Sequence, residues 1–187
     1  MTNRSVLLQL LGGTKSSHAL RRWINLWPPF LGAGIRIQYI APDMKAVDVE
    51  MQLRWWNANY VGTQFGGSLF AMTDPFYMLM LMANLGDGYI VWDKAATIRY
   101  RKPGRGKVRA EFRLSDSQIE NVREKLKTLP KYEPVFTVEV KDEAGVVIAE
   151  VEKLLHVRKR GRGLSDVISV ACRLLGGSGE THVHSGI

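Results

Sequence analysis

Apolar and polar residues alternate with period two in several stretches of the chain. Ile35, Ile37 and Tyr39 alternate with Arg36 and Gln38, and Val47, Val49, Met51 and Leu53 alternate with Asp48, Glu50 and Gln52. Successive strand side chains point to opposite faces, so each stretch predicts a strand with one buried face. Ala41-Pro42-Asp43-Met44 reads as the turn that joins them into an antiparallel hairpin. Val108, Ala110, Phe112 and Leu114 alternate with Arg109, Glu111 and Arg113 in the same way. Further strands are expected over 89–101, 135–141 and 146–157, the last two forming a hairpin around Glu143-Ala144-Gly145.

Three segments have helical character. Leu20, Trp23, Ile24 and Trp27 fall at i, i+3, i+4 and i+7, one apolar stripe on a helix capped by Ser16 or Ser17. Arg21, Arg22 and Asn25 should face away from it, and Pro28-Pro29 should stop it. Residues 68–85 are apolar nearly all round until Gly86-Asp87-Gly88, so this helix must be wrapped by protein. Ser117-Gln118-Ile119-Glu120 has capping-box spacing and opens a charged helix that Pro130 closes. After the basic run 158–163, residues 166–175 read as a loose helix and 176–187 as disordered.

Hairpin, buried helix, then about four strands with one inserted helix make an α+β arrangement. A curved antiparallel sheet wraps a central buried helix. One helix cannot cover such a sheet, and a second copy would complete the core and extend the sheet, so a homodimer or tetramer is expected. The domain reading is an N-terminal extension with an amphipathic helix (1–33), the sheet-and-helix domain (34–157) and a basic C-terminal tail (158–187).

The chain has 187 residues, enough for one domain. Cys172 is the single cysteine, which excludes an internal disulfide or a cysteine-built metal site and fits a reducing cytoplasm. His18, His156, His182 and His184 make no persuasive metal site, and no metal is expected. The apolar stretch 6–11 is broken by Gly12-Gly13 and lacks the form of a secretory signal. Residues 69–85 are near the lower length limit for a membrane span and contain Asp74 and Pro75, so no transmembrane segment is expected. The net charge of +8 is open to nucleic acid, an anionic membrane or a polyanionic small molecule as partner, or to a solvated basic surface. The basic residues are not interleaved with aromatics in a recognisable motif, so nucleic acid is not expected.

Asp74 is the sharpest chemical feature: it is the only ionisable carboxyl in the buried segment, beside a proline that should kink the helix. Gly66-Gly67 at the helix entrance would leave backbone N–H groups open to a ligand. Asn59 could orient a water or a substrate, or could hold its own loop in an Asx turn. Arg99, Arg101, Lys102, Arg105 and Lys107 form a basic strand and turn suited to phosphates, or a solvated edge. Met72, Met78, Met80 and Met82 read as core or as an acyl pocket. Asp93-Lys94 is an unusual polar pair in a strand, read as an ion pair at a subunit contact.

The segment from Asn59 through Gly66-Gly67 to Asp74 resembles the active-site segment of phenylacetyl-CoA-type hotdog thioesterases, which carry asparagine, His-Gly-Gly and a helical aspartate. The resemblance extends from about Gly34 to Val157. Phe65-Gly66-Gly67, Asp74-Pro75 and Trp92-Asp93-Lys94 look most like a hotdog branch known chiefly as a domain of unknown function. The resemblance implies a dimerising hotdog fold and hydrolysis of an acyl-CoA or related thioester at a subunit interface, with no cofactor beyond the coenzyme A substrate. It implies Asp74 as nucleophile or general base, Asn59 and Gly67 beside it, and Phe65, Gly66, Arg101, Lys102 and Arg105 in substrate binding. Phe65 stands where the thioesterases have histidine and cannot donate a hydrogen bond. Binding of acyl thioesters without hydrolysis is therefore the alternative. A basic membrane- or nucleic-acid-binding protein is a third reading, resting on the 158–163 run and the Trp23/Trp27 helix.

Overall fold

The structure, a computed structural model, describes residues 14–161. The apolar stretch at 6–11, the helix expected at 166–175, the chain end at 176–187 and the pair His182 and His184 lie outside the described residues.

Among the described residues, two helices, α1 (Thr14–Asn25) and α2 (Pro28–Ala33), precede the hairpin β1 (Ile35–Ile40) and β2 (Ala46–Gln52). Then come α3 (Gly66–Ala71), α4 (Phe76–Leu85), β3 (Tyr89–Tyr100), β4 (Lys107–Arg113), α5 (Asp116–Thr128), β5 (Lys131–Tyr132), β6 (Val135–Asp142) and β7 (Val147–Lys159). The described strands form one seven-stranded antiparallel sheet in the order β1-β2-β4-β6-β7-β3, with β5 beside β7.

Alternation places one apolar face inward: Val47, Val49, Val108, Ala110, Phe112, Val138, Val140, Val151 and Leu155 are all buried. α4 packs with them. Phe76 lies 4.9 Å from the Phe112 ring, and Tyr77 stacks on Phe136 at 4.7 Å. The Tyr77 hydroxyl donates to the Thr137 carbonyl at 3.0 Å, which satisfies its polar end, and burial raises the phenol pKa above its ordinary value. Met72 and Met80 are core, and Met78 and Met82 are partly buried against it.

Several details depart from the sequence reading. The kink expected at Pro75 within 68–85 is a full break into two helices at Met72–Pro75, because Pro75 has no N–H for the carbonyl of Ala71. Pro28-Pro29 do more than stop α1. They occupy the first positions of α2, where a missing N–H costs nothing. The capping box of α5 lies two residues earlier than expected, with Ser115 as cap and Gln118 as its reciprocal partner. The apolar stripe of α1 is split: Leu20 and Ile24 are buried, whereas Trp23 and Trp27 are exposed.

The two edges of the sheet are treated differently. On β1 the Asn25 carboxamide accepts from the Ile37 N–H at 2.7 Å and donates to the Ile37 carbonyl at 3.1 Å. Arg21 donates to the Gln38 carbonyl at 2.8 Å. Both side chains face the sheet, contrary to expectation, because they pair backbone groups that an edge strand leaves open. β3 pairs with β7 on one side, and no described strand pairs with the other. β3 also has a single buried residue, Val91, and is otherwise exposed or half-buried.

Candidate functional site

The loop ahead of α3 is built on itself. The Asn59 side chain accepts from the N–H groups of Val61 and Thr63 at 3.1 and 2.9 Å and donates to Thr63 Oγ1 at 2.8 Å. This is the Asx-turn arrangement, and it engages both ends of the carboxamide. Asn57 is buried and ties the same loop to Ala33 and Gln52, donating to both carbonyls at 2.9 Å.

Phe65 caps α3 in an extended conformation. Its carbonyl accepts from Ser68 and Leu69, so the helix ladder begins there. The first N–H groups of a helix, here those of Gly66 and Gly67, have no intrahelical acceptor. Aromatic rings approach both glycines closely. The Tyr100 hydroxyl donates to the Gly66 carbonyl at 3.0 Å, and a Cβ on Gly66 would lie 2.9 Å from that hydroxyl. A Cβ on Gly67 would lie 2.5 Å from Cε1 of Phe65, whose ring therefore covers this glycine while remaining 54% exposed.

A cleft of about 540 Å³ opens beside Gly66. Asn59, Tyr100, Arg101, Lys102 and Arg105 line it, so the structure gathers the basic turn, the asparagine and the first glycine around one space. Arg101 shares its charge with Glu150, 3.1 Å away. Phe65, Gly67 and Asp74 do not line the cleft.

Asp74 lies beyond the far end of α3, in the turn before α4. It was expected to be buried, yet its side chain is 51% exposed. The break at Pro75 turns this part of the chain outward. Its partner is a residue the sequence reading missed. Lys153, on the inner face of β7 between Val151 and Leu155, is 1% exposed. Its ammonium donates to Asp74 Oδ1 at 2.9 Å and pairs with Asp93 Oδ1 at the same distance. The Phe70 ring centre is 5.8 Å from the same nitrogen. Asp93 reaches this point from a bulge in β3 between Asp93 and Ala95. Burial raises the Asp93 carboxyl above its ordinary value, Lys153 opposes that rise, and the Asp74 charge adds to it. Within the chain Asp93 and Lys94 do not pair with each other: the Lys94 ammonium pairs with Glu133 at 2.7 Å. The signal for Lys153 was its parity, a lysine at a position where alternation with Val151, Leu155 and Val157 demands an apolar residue.

A family described as a domain of unknown function, DUF4442, matches residues 17–157. The chain belongs to this family. No curated protein matches it. Among solved structures it is similar to a Pseudomonas aeruginosa protein of unknown function described as a probable thioesterase. That likeness has 25% identity and a TM-score of 0.66, and covers 76% of this chain and 95% of the other. It is similar to a Haemophilus influenzae thioesterase at 16% identity and a TM-score of 0.56, over 76% and 90% of the two chains. It is also similar to the Escherichia coli PaaI protein of the phenylacetic acid degradation operon, at 16% identity and a TM-score of 0.51, over 83% and 96%.

This DUF4442 chain thus has the hotdog fold, a curved sheet packed on a helix. Within it the candidate residues fall into two groups at the two ends of α3. One group is the cleft with Gly66, Asn59 and the basic turn, and the other is Asp74 with Lys153 and Asp93. No described helix is long and apolar enough to cross a membrane.

Proposed function

We propose that this DUF4442 protein hydrolyses an acyl-CoA or related acyl thioester at a site shared between two copies of the chain. The observation that carries this reading is the Asp74 carboxylate, with one oxygen held by Lys153 while half of the side chain faces solvent. Its second oxygen takes a proton from water, or attacks the thioester itself. In the first case the water oxygen adds to the carbonyl carbon, charge develops on the carbonyl oxygen, and the C–S bond then breaks with release of the thiolate. The N–H groups of Gly66 and Gly67 are donors of the kind that such an oxyanion requires.

A six-residue helix is about 9 Å long, so one thioester carbon cannot touch both ends of α3 in a single protomer. The capped edge of β1 and the open edge of β3 favour a second copy added along β3. The site then takes Asp74 from one copy and Gly66-Gly67 from the other, as the resemblance to the hotdog thioesterases implies. Arg101, Lys102 and Arg105 carry the charge that coenzyme A phosphates require, next to Gly66. Similarity to the Haemophilus influenzae thioesterase and to the Pseudomonas aeruginosa probable thioesterase supports the same reading.

One observation favours the alternative of binding without hydrolysis: Phe65 offers no donor, and its ring covers Gly67. Hydrolysis of hexanoyl-, phenylacetyl- and palmitoyl-CoA, followed by thiol release, decides between the two. Asp74→Asn is expected to fold as the parent does and to lose at least about a hundredfold in rate. Full turnover in that variant would rule the mechanism out.

A further inference from the structure

An apolar side chain would fill the place of Lys153 without losing hydration. Val151, Leu155 and Val157, at the same parity on β7, are of that kind. Lysine is there instead, 1% exposed on the inner face of the sheet. A buried charge is costly unless paired, and exchanging a buried ion cluster for well-packed apolar groups is often neutral or stabilising. Stability therefore gives no account of this lysine.

Its contacts do give one. The ammonium lies 2.9 Å from Oδ1 of Asp74 and 2.9 Å from Oδ1 of Asp93. Asp74 sits in the turn between two helices, half exposed, and Lys153 is the only described residue to which its side chain is hydrogen-bonded or ion-paired. Asp93 is more enclosed, one quarter exposed, and comes from the neighbouring strand. Lys153 thus has one anchor inside the fold and one at its surface.

We propose that Lys153 is a positioning residue: clamped by Asp93, it fixes Oδ1 of Asp74 so that the other carboxylate oxygen alone is presented to the reacting thioester and its water. Two carboxylates against one ammonium leave the cluster with a net negative charge, so the pairing orients Asp74 without consuming it as a proton acceptor. This role rests on the reading of Asp74 as the reactive carboxylate.

The test compares the full-length parent, Asp74→Asn and the double variant Lys153→Met/Asp93→Asn. The double variant replaces the buried ammonium with an apolar chain of similar length and removes the enclosed Asp93 carboxylate, leaving only the half-exposed Asp74. Three quantities are measured: the melting temperature, kcat and KM on the three CoA thioesters above, and the crystal structure of the double variant. The expected result is a melting temperature at or above the parental one, little change in KM and a kcat lower by about a hundredfold, the scale of a misplaced catalytic group. The Asp74 carboxylate should also leave its parental position. Parental kcat in the double variant beside an inactive Asp74→Asn overturns the role given to Lys153 and leaves the hydrolase reading standing. An unmoved Asp74 carboxylate in the crystal overturns it too, as does a loss of kcat that only follows a fall in melting temperature. Parental turnover in Asp74→Asn, or a parent that cleaves none of the three thioesters, removes the hydrolase reading and this proposal with it.

Discussion

Lys153 and Asp74 are 79 residues apart in the chain and meet at 2.9 Å, a buried ammonium from β7 against a half-exposed carboxylate from the turn between α3 and α4. The contact joins strand and helix layers at the place where the helix is broken. It also makes single and double substitutions behave differently. Lys153→Met alone leaves Asp93 largely buried beside no cation, and should cost about 1–3 kcal/mol, a loss moderated by the partial exposure of both carboxylates. Adding Asp93→Asn should return most of that loss. Chemical denaturation of the two single variants and the double variant checks this through their coupling energy. Additive losses would mean that the two residues do not share one interaction.

Two carboxyls should tilt the pH dependence of stability in opposite directions. Lys94, Lys131 and His156 hold Glu133 down at about 2 in the folded protein, against an ordinary value of 4.5. A depressed carboxyl contributes stability that is present above the unfolded value and lost as pH falls through the folded one. Glu133→Gln should therefore flatten the decline of melting temperature between about pH 4.5 and 2. Asp93 is raised, chiefly by burial, so its folded form binds protons more readily than the unfolded chain. Its contribution is present at low pH and is lost as pH rises from the ordinary carboxylate value through the raised one. Asp93→Asn should remove that fall. Calorimetry across a pH series checks both, and equal slopes in parent and variants would contradict the assignments.

The strands were legible because alternation is a strong local signal: Val108, Ala110 and Phe112 in β4 are buried as their spacing requires. The break in the helix was legible from Pro75, but its consequence was not. Residues 68–85 read as enclosed because nearly all are apolar, and only the structure shows the turn at Asp74 opening outward. Hotdog architecture was recognised from Gly66, Gly67, Asp74 and their neighbours together with the strand order. Lys153 escaped notice because a lysine in a strand ordinarily marks the solvent face, and its two partners come from elements far away in sequence. β5 escaped because two residues are too short to show a period.

Asn25 substitutes for a neighbouring strand along β1, accepting from and donating to the two backbone groups of Ile37. Asn25→Ala should destabilise the protein by about 1–3 kcal/mol, since both groups lose a part-buried partner. It should also leave β1 open to pairing with other chains. Denaturation measures the first effect, and turbidity on prolonged incubation measures the second. A variant with parental stability would show that water replaces the carboxamide at little cost.

The open edge of β3 carries the assembly prediction. The full chain should be a dimer or tetramer by light scattering at micromolar concentration, because a long exposed edge strand otherwise invites uncontrolled pairing. A stable monomer with native circular dichroism would contradict the shared site.

Phe65 decides how far the chain departs from the thioesterases it resembles. It stands at the position where those enzymes carry histidine, its ring covers Gly67, and it offers no donor. If the parent hydrolyses thioesters, backbone N–H groups must carry the oxyanion without side-chain help. Phe65→His then adds a donor at the entrance of α3. A well-aimed donor is worth roughly 3 kcal/mol, about a hundredfold in rate. The new imidazole replaces an exposed ring that no hydrogen bond orients, so its aim will be imperfect and the expected gain is smaller, about tenfold in kcat. Little should change in stability, because the ring is more than half exposed and the smaller imidazole still fits above Gly67. Activity in Phe65→His from an inactive parent would identify the natural protein as a binder of thioesters. If a folded variant shows no change in either turnover or affinity for acyl-CoA, residue 65 does not face the reacting group. The correspondence with the thioesterase segment would then be misaligned at Gly66 and Gly67, and the oxyanion would have to be held by other groups.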